Sequence, residues 1–261
     1  MTDGQEMPLY LAELSTTGLR DALAAAKRPV ALWPVGSTEP HGPHLPLATD
    51  IILSEENARR AAIALRELHV EAFVAPALPY GVTDFAAGFS GALTVPEAAL
   101  VALIGGVVAS LLGDGFHHVC LINHHLEPGQ LSALSAAHAQ CAARHGGHAV
   151  SLPKVISRRW GGRVGAEFRS GACHAGEYEG SLVLAASPHL VDIERALGLP
   201  EVPISLSAAI GAGEHTFMAA GADQAYTGRP ADATVEEGER LYGVLTEMVV
   251  TEVLEHLEES Q

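Results

Sequence analysis

Short apolar runs alternate along the chain with segments in which apolar residues recur at helical spacing. Runs rich in Val, Leu, Ile and Phe predict buried strands. Apolar positions three and four residues apart predict helices packed on one face. The predicted strands cover residues 30–33, 71–77, 118–122 and 148–152, and the principal helices cover 51–68, 96–113, 130–145 and 234–258. A strand, a loop and a helix therefore follow one another repeatedly.

This alternation predicts an α/β fold with a mostly parallel central sheet covered by helices on both faces. No internal repeat or break in composition divides the sequence, so we expect one domain over residues 1–261. Right-handed crossovers place the carboxyl ends of parallel strands at one edge of the sheet. The loops after the first and third strands should therefore lie close together.

Composition and charge narrow the range of functions. Hydrophobic residues make up 48% of the chain, enough for a substantial core. The formal net charge of −16 disfavours nucleic acid and anionic membranes as partners, because both are negatively charged. The apolar run at 98–112 is interrupted by Gly105-Gly106 and is too short for a convincing membrane span. The acidic N-terminus, residues 1–6, lacks an apolar leader, and the three cysteines form no CxxC pattern. We expect a cytoplasmic protein.

Candidate metal ligands follow the first and third predicted strands. The first loop carries Glu39, His41 and Asp50, and the second carries His125 and Glu127. Residues two apart in extended backbone point the same way, so each Glu/His pair can direct two ligands at one point. Two histidines and three carboxylates suit Zn²⁺, Mn²⁺ or Fe²⁺. They can hold two ions if one carboxylate bridges, and Asp50 is the natural bridge because the other four pair off.

Each feature also has a simpler interpretation. Glu39 and His41 could simply form a turn, and Thr49 or Asp50 could be the N-cap of the following helix. His125 and Glu127 could belong to a surface loop. Their joint occurrence after two strands favours the metal site. A third cluster, residues 173–181, offers His174 as a general acid/base, with Glu177 or Glu179 as its orienting group or as a further ligand. Cys173 is expected to be a packing residue.

Four blocks of this sequence resemble the creatininase (creatinine amidohydrolase) family. The first block, Val35 to Leu47 together with Asp50, is long and specific. The second combines Tyr80-Gly81 with residues 88–93, the third is residues 123–127, and the fourth is residues 174–181. The blocks occur in order and span about residues 30–187.

The resemblance implies a three-layer α/β/α fold, commonly assembled as a homohexamer, that hydrolyses a C–N bond with two divalent metal ions per subunit. By position in the family's motifs, Glu39, Asp50 and His125 would hold one ion. His41, Asp50 and Glu127 would hold the other, with His174 as the catalytic acid/base.

Two departures from the family pattern bear on the substrate. Leu126 stands where creatininase has an aromatic residue, and residues 167–171 lack a substrate-stacking Trp. These departures leave the metal ligands intact and count against creatinine as the substrate. We therefore expect an amidohydrolase acting on a small or cyclic amide or amidine. The alternatives are a formamide deformylase or short-peptide-trimming enzyme of the same family, and a metal- or ligand-binding protein without turnover.

Overall fold

The computed structural model describes residues 7–259. The expectation about a leader in residues 1–6 lies outside this range. The strands are β1 (Val30–Val35), β2 (Ala72–Val74), β3 (His118–Asn123) and β4 (Val150–Ser151). The helices are α1 (Thr16–Ala25), α2 (Thr49–Glu67), α3 (Glu97–Asp114), α4 (Pro128–His145), α5 (Ala166–Ser170), α6 (Glu177–Ala186), α7 (Ile193–Gly198), α8 (Leu206–Gly211) and α9 (Val235–Glu259). Six short 3₁₀ turns complete the described elements.

The four strands form one parallel sheet in the order β2-β1-β3-β4. β1 and β3 are neighbours along their whole length, from Val30 opposite His118 to Val35 opposite Asn123. Their last residues are therefore side by side, and the loops that follow leave the sheet at the same point. This confirms that the two loops with the candidate ligands meet.

Successive residues of the central strands face opposite layers, because side chains alternate along a strand. Ala31, Trp33 and Val35 of β1 pack with α1, α3 and α4 in one core cluster. Val30 and Leu32 pack with α2 and α9 in another. Helices thus cover both faces of the sheet, which confirms the three-layer α/β/α architecture. The prediction that residues 1–261 form a single domain stays a prediction.

α3 is long and apolar enough to cross a membrane by length and composition alone. Leu100, Ile104 and Val108 along one side of it lie in the core beneath the sheet. These three are the buried residues of the helix, and 17% of its 18 residues are buried in the described structure.

Several element boundaries differ from those predicted. β2 and β4 are shorter than the predicted strands, and 3₁₀ residues 147–149 take up the start of the fourth. The prediction that Thr49 or Asp50 caps α2 was wrong. Ala48 is the N-cap and makes no side-chain cap bond, so Asp50 lies in the first turn with its carboxylate free for other contacts.

Candidate metal centre

The loop after β1 is buried and held by backbone hydrogen bonds to several neighbouring segments. The Glu39 N–H donates to Leu47 O at 3.1 Å, and the Gly42 N–H donates to Ala225 O at 2.7 Å. Gly42 has a φ of 65°, a left-handed conformation that glycine adopts without strain. Glu39 and His41 are 2% and 0% exposed. The loop therefore presents both side chains from a fixed backbone.

Asp50 reaches the same point from the first turn of α2. Its Oδ1 lies 3.5 Å from Nε2 of His41, and its Oδ2 lies 3.2 Å from Nδ1 of His125. The Ser37 hydroxyl donates to Oδ2 at 2.6 Å and fixes the rotamer. The two oxygens of one carboxylate thus face two different histidines, as in a bridging ligand.

Backbone carbonyls orient the three histidines of the site. His41 Nδ1 lies 3.1 Å from Glu39 O, His125 Nε2 lies 2.6 Å from Val82 O, and His174 Nε2 lies 2.9 Å from Pro40 O. A carbonyl can only accept, so each of these nitrogens carries hydrogen. The opposite nitrogen of each ring is left to act as a ligand or base toward the centre.

Glu179 enters the site from the first turn of α6. Its Oε2 lies 3.6 Å from His41 Nε2 and accepts a hydrogen bond of 2.6 Å from the Ala175 N–H. His174 Nδ1 lies 3.8 Å from Glu39 Oε1 and 3.9 Å from Glu179 Oε2. The His174 ring stacks on Phe217 on one side and lies 4.4 Å from the His41 ring, centroid to centroid.

These side chains form three overlapping groups whose ligand atoms lie within 4.8 Å of one another. The groups are Glu39–Asp50–His125, His41–Asp50–Glu179 and Glu39–His41–His174. Asp50 is shared by the first two. Glu39 Oε2 and His41 Nε2 are buried and have no hydrogen-bond partner within residues 7–259. Buried polar atoms without a partner are costly, and a bound cation would satisfy both. The residues present fit a metal centre.

The electrostatics of the cluster indicate a shortage of positive charge. Burial by itself would lower the pKa of His41, but Asp50 and Glu179 raise it to about 10. Burial raises the pKa of Glu179 to about 8, against the opposing effect of His41. Burial would also lower the pKa of His125, yet Glu39 and Asp50 hold it well above the usual value. His41, His125 and Glu179 therefore retain protons that divalent cations could replace.

Glu127 lies outside all three groups. Its Oε1 and Oε2 accept hydrogen bonds from the N–H groups of Asp84 and Phe85 at 2.9 and 3.2 Å. Its Oε2 is 3.9 Å from Nε2 of His125, on the side of the ring away from Asp50. Glu179 is the carboxylate grouped with His41 and Asp50, and the role of Glu127 as a metal ligand stays a prediction.

A cavity of about 430 Å³ opens over this centre. Its floor includes Glu39, Asp50, His125, Glu127, His174 and Glu179. Its walls are mainly apolar and are formed by Phe85, Leu126, Leu131, Ile156, Phe168, Leu206, Ile210 and Phe217. This volume is in the range of pockets that hold drug-sized ligands, and the lining offers few polar contacts apart from the candidate metal ligands.

The sequence model of creatinine amidohydrolase, named Creatininase, matches residues 12–253. The chain belongs to the creatininase family. It is 32% identical over 224 residues to the mycofactocin precursor peptide peptidase of Mycolicibacterium smegmatis, covering 82% of this chain and 80% of that one. It is 27% identical over 198 residues to the creatinine amidohydrolase of Pseudomonas putida, covering 69% and 73%.

Solved creatininase structures share the fold of this family member. A mutant creatininase of Zn–Zn type superposes with a TM-score of 0.74 at 20% identity, covering 96% of this chain and 98% of that one. A manganese form superposes with a TM-score of 0.71 at 22% identity, covering 95% and 98%. At this level of identity the likeness establishes the fold.

Two side chains of this creatininase-family site were missed by the sequence reasoning. Phe217 stacks on His174 from a loop without any regular pattern, and no local signal marks it. Ser37, which bonds Asp50, lies two residues before Glu39 in the same extended stretch. The periodicity that relates Glu39 to His41 could have drawn attention to Ser37.

Proposed function

We propose that this chain is a dinuclear metal-dependent hydrolase of an amide C–N bond. The observation that carries the proposal is the position of Asp50, whose two oxygens face two separate groups of buried ligands. In this assignment one ion is held by Glu39, Asp50 and His125, and the other by His41, Asp50 and Glu179. In this proposal Glu179, whose Oε2 lies 3.6 Å from His41 Nε2, takes the place of Glu127, the ligand expected from the family motif.

Zinc and manganese are the ions we propose. The ligand set of imidazole and carboxylate suits both, and creatininase itself has been solved in Zn–Zn and manganese forms. Divalent ions bound at this centre would polarise the scissile carbonyl and lower the pKa of an attacking water.

His174 is the proposed acid/base. Burial and the nearby His41 lower the pKa of His174 to about 4, so the ring is neutral at pH 7. Its Nε2–H donates to Pro40 O, which leaves Nδ1 unprotonated and facing the centre. Nδ1 can accept the proton of the attacking water and pass it to the leaving nitrogen. Glu39 and His41 already belong to the other two groups, so we assign His174 this role rather than that of a ligand.

The substrate we favour is a short peptide or peptide-like amide. The apolar cavity above the centre is in the size range of drug-sized ligands, larger than a single five-membered ring requires. The relatives with 29–32% identity are named as peptidases of a precursor peptide. Both observations favour the peptide-trimming alternative over a small cyclic amide such as creatinine.

The test is a substrate panel assayed with the zinc- and manganese-loaded chain. The panel contains lactams including creatinine, formamides, and short peptides with apolar residues, and products are identified by mass spectrometry. We expect cleavage of peptides, and loss of cleavage in His174→Ala with the metal content unchanged. Cleavage of lactams or formamides alone would overturn the substrate assignment. No turnover of any amide by the metal-loaded chain would favour a binding protein.

The assembly and location of the protein remain predictions. The family resemblance leads us to propose a homo-oligomer, a hexamer by analogy, and a cytoplasmic location. Light scattering coupled to gel filtration measures the first directly, because a hexamer has six times the 27.2 kDa mass of one chain. A monomer at micromolar concentration would contradict it.

A further inference from the structure

Arg169 is the one lysine or arginine among the described residues that line the cavity over the metal centre. The same cavity is lined by the carboxylates of Glu39, Asp50, Glu127 and Glu179, and most of its other lining residues are apolar. The cavity therefore combines the candidate metal ligands, one cationic side chain and a mainly apolar lining.

Arg169 lacks the carboxylate partner that most arginines of this protein have. Its recorded hydrogen bond goes to Gly162 O at 3.1 Å, and no carboxylate lies within 4.0 Å of it in residues 7–259. Eight other arginines pair with Asp or Glu, namely Arg20, Arg59, Arg60, Arg159, Arg163, Arg195, Arg229 and Arg240. In a chain with 31 acidic and 15 basic residues, an unpaired arginine facing a cavity is available for a ligand.

The segment that carries Arg169 is fixed by its two preceding residues. Phe168 is buried, and its ring lies 4.8 Å from that of Tyr178. The Glu167 carboxylate accepts hydrogen bonds from the N–H groups of Tyr178 at 3.0 Å and Arg229 at 2.7 Å. The short helix α5 is thereby tied to α6, which carries Glu179. The Cα of Arg169 has a defined position relative to the metal ligands while its side chain remains exposed.

We propose that Arg169 forms a carboxylate-binding subsite and that the substrate is an amide bearing a free carboxylate, such as the C-terminal end of a short peptide. This inference rests on the proposed function and deepens it. The planar guanidinium donates two parallel hydrogen bonds to a carboxylate, a geometry that a carboxamide cannot match. With the carboxylate on Arg169 and apolar side chains against the walls, the amide bond can extend to the metal centre.

A non-cleavable ligand pair tests the subsite by binding alone. The probe is leucyl-leucine with a reduced CH₂–NH linkage, prepared as the free acid and as the C-terminal carboxamide. Both are titrated calorimetrically into the zinc-loaded full chain. We expect the acid to bind roughly tenfold more tightly than the carboxamide, the scale of a charge-assisted pair at a partly exposed site.

The arginine variants assign that preference to one side chain. Arg169→Gln should abolish the difference between the two ligands, and Arg169→Lys should retain part of it. Arg158→Gln is the matched control, because Arg158 is exposed, close in sequence and does not line the cavity. An undiminished acid preference in Arg169→Gln, as expected if the carboxylate binds the metals, would overturn the proposal. The lack of any acid preference in the unmodified chain would also overturn it.

Hydrolysis of matched peptides, measured in parallel, separates the two proposals. If Arg169 binds the carboxylate, Arg169→Gln should raise KM for free-acid peptides about tenfold with little change in kcat. Absence of hydrolysis together with an Arg169-dependent acid preference would refute the proposed reaction and keep the subsite. Equal kcat/KM for free-acid and C-terminally amidated peptides in the unmodified chain would refute the subsite and keep the reaction.

Discussion

Phe217 stacks on His174 with ring centroids 4.3 Å apart and an angle of 27° between the planes. Phe217 also contacts Phe85, at 5.0 Å, so the imidazole rests on a small aromatic cluster at the cavity wall. The hydrogen bond to Pro40 O fixes the ring in its own plane, and the stack fixes it from above. The bond to Pro40 O sets the tautomer of His174, and the stack on Phe217 holds the position of its ring.

This arrangement predicts a graded effect of two substitutions on turnover. His174→Ala removes the proton-transfer group and should lower kcat by about 10²–10⁴-fold. Phe217→Leu leaves the imidazole in place but loosens it, and should lower kcat by roughly tenfold. Steady-state kinetics on the cleaved peptide measures both, with Phe89→Leu as a control because Phe89 lies one ring farther out, 6.3 Å from Phe217. Equal losses in the Phe217 and Phe89 variants would contradict a positioning role.

Glu179 and Glu127 should differ in their effect on metal content. Glu179→Gln weakens a ligand beside His41 and Asp50, so about one ion per chain should be lost on dialysis. Glu127→Gln should keep both ions, because its carboxylate is bonded to the Asp84 and Phe85 N–H groups. Mass-spectrometric metal analysis compares the two. If Glu179→Gln kept both ions and Glu127→Gln lost one, Glu127 rather than Glu179 would be the metal ligand.

Acid sensitivity should depend in part on His118, far from the metal centre. Burial lowers its pKa to about 3, although the bond to His148 O opposes the shift. An unfolded histidine binds a proton near its usual pKa of about 6.5. Between these values the unfolded state holds more protons, so the free energy of unfolding should fall as the pH is lowered from about 6.5 toward 3.

Urea unfolding across this range measures the contribution of His118. His118→Gln should reduce the slope by up to about 1.4 kcal/mol per pH unit. The measurements use the EDTA-treated chain, so that metal release adds nothing to the slope, and the difference between the two proteins isolates one residue. An identical slope in both would show that His118 does not stay neutral in the folded state.

Gly238 and Gly243 on α9 should respond oppositely to replacement by alanine. A Cβ at Gly238 would come within 2.0 Å of Ser181 O and within 2.8 Å of the Ala185 side chain, so α6 and α9 would be forced apart. We expect a loss of about 1–3 kcal/mol in unfolding free energy. At Gly243 nothing lies within 4 Å, and alanine should be neutral or stabilising by up to about 1 kcal/mol. Thermal and urea unfolding of both variants provide the comparison.

The sheet and the meeting of the two ligand loops could be predicted because both depend on local patterns. Apolar runs marked β1 and β3, and parallel topology brought Val35 beside Asn123. The choice between Glu127 and Glu179 could not be predicted in this way. The pairing of His125 with Glu127 assumed continued extended backbone, but Glu127 is the N-cap of α4 and turns toward Asp84.

Arg169 and Phe217 were beyond prediction for a different reason. Arg169 lies in the five-residue helix α5 and Phe217 in an irregular segment, and neither stretch has a periodicity that shows which side chains converge. Their positions depend on long-range contacts, such as those of Glu167 with residues 178 and 229. Only the folded chain shows that these segments form the walls of the cavity.

The central claim is that Asp50 bridges two metal ions, and the metal content of Asp50→Ala tests it most directly. The variant and the unmodified chain are loaded with zinc, dialysed and analysed by mass spectrometry, with the exposed Asp223→Ala as control. We predict two ions per chain in the unmodified protein and the control, and a sharp fall at both positions in Asp50→Ala, because each ion loses a shared ligand. Full occupancy of both positions in Asp50→Ala would contradict the account.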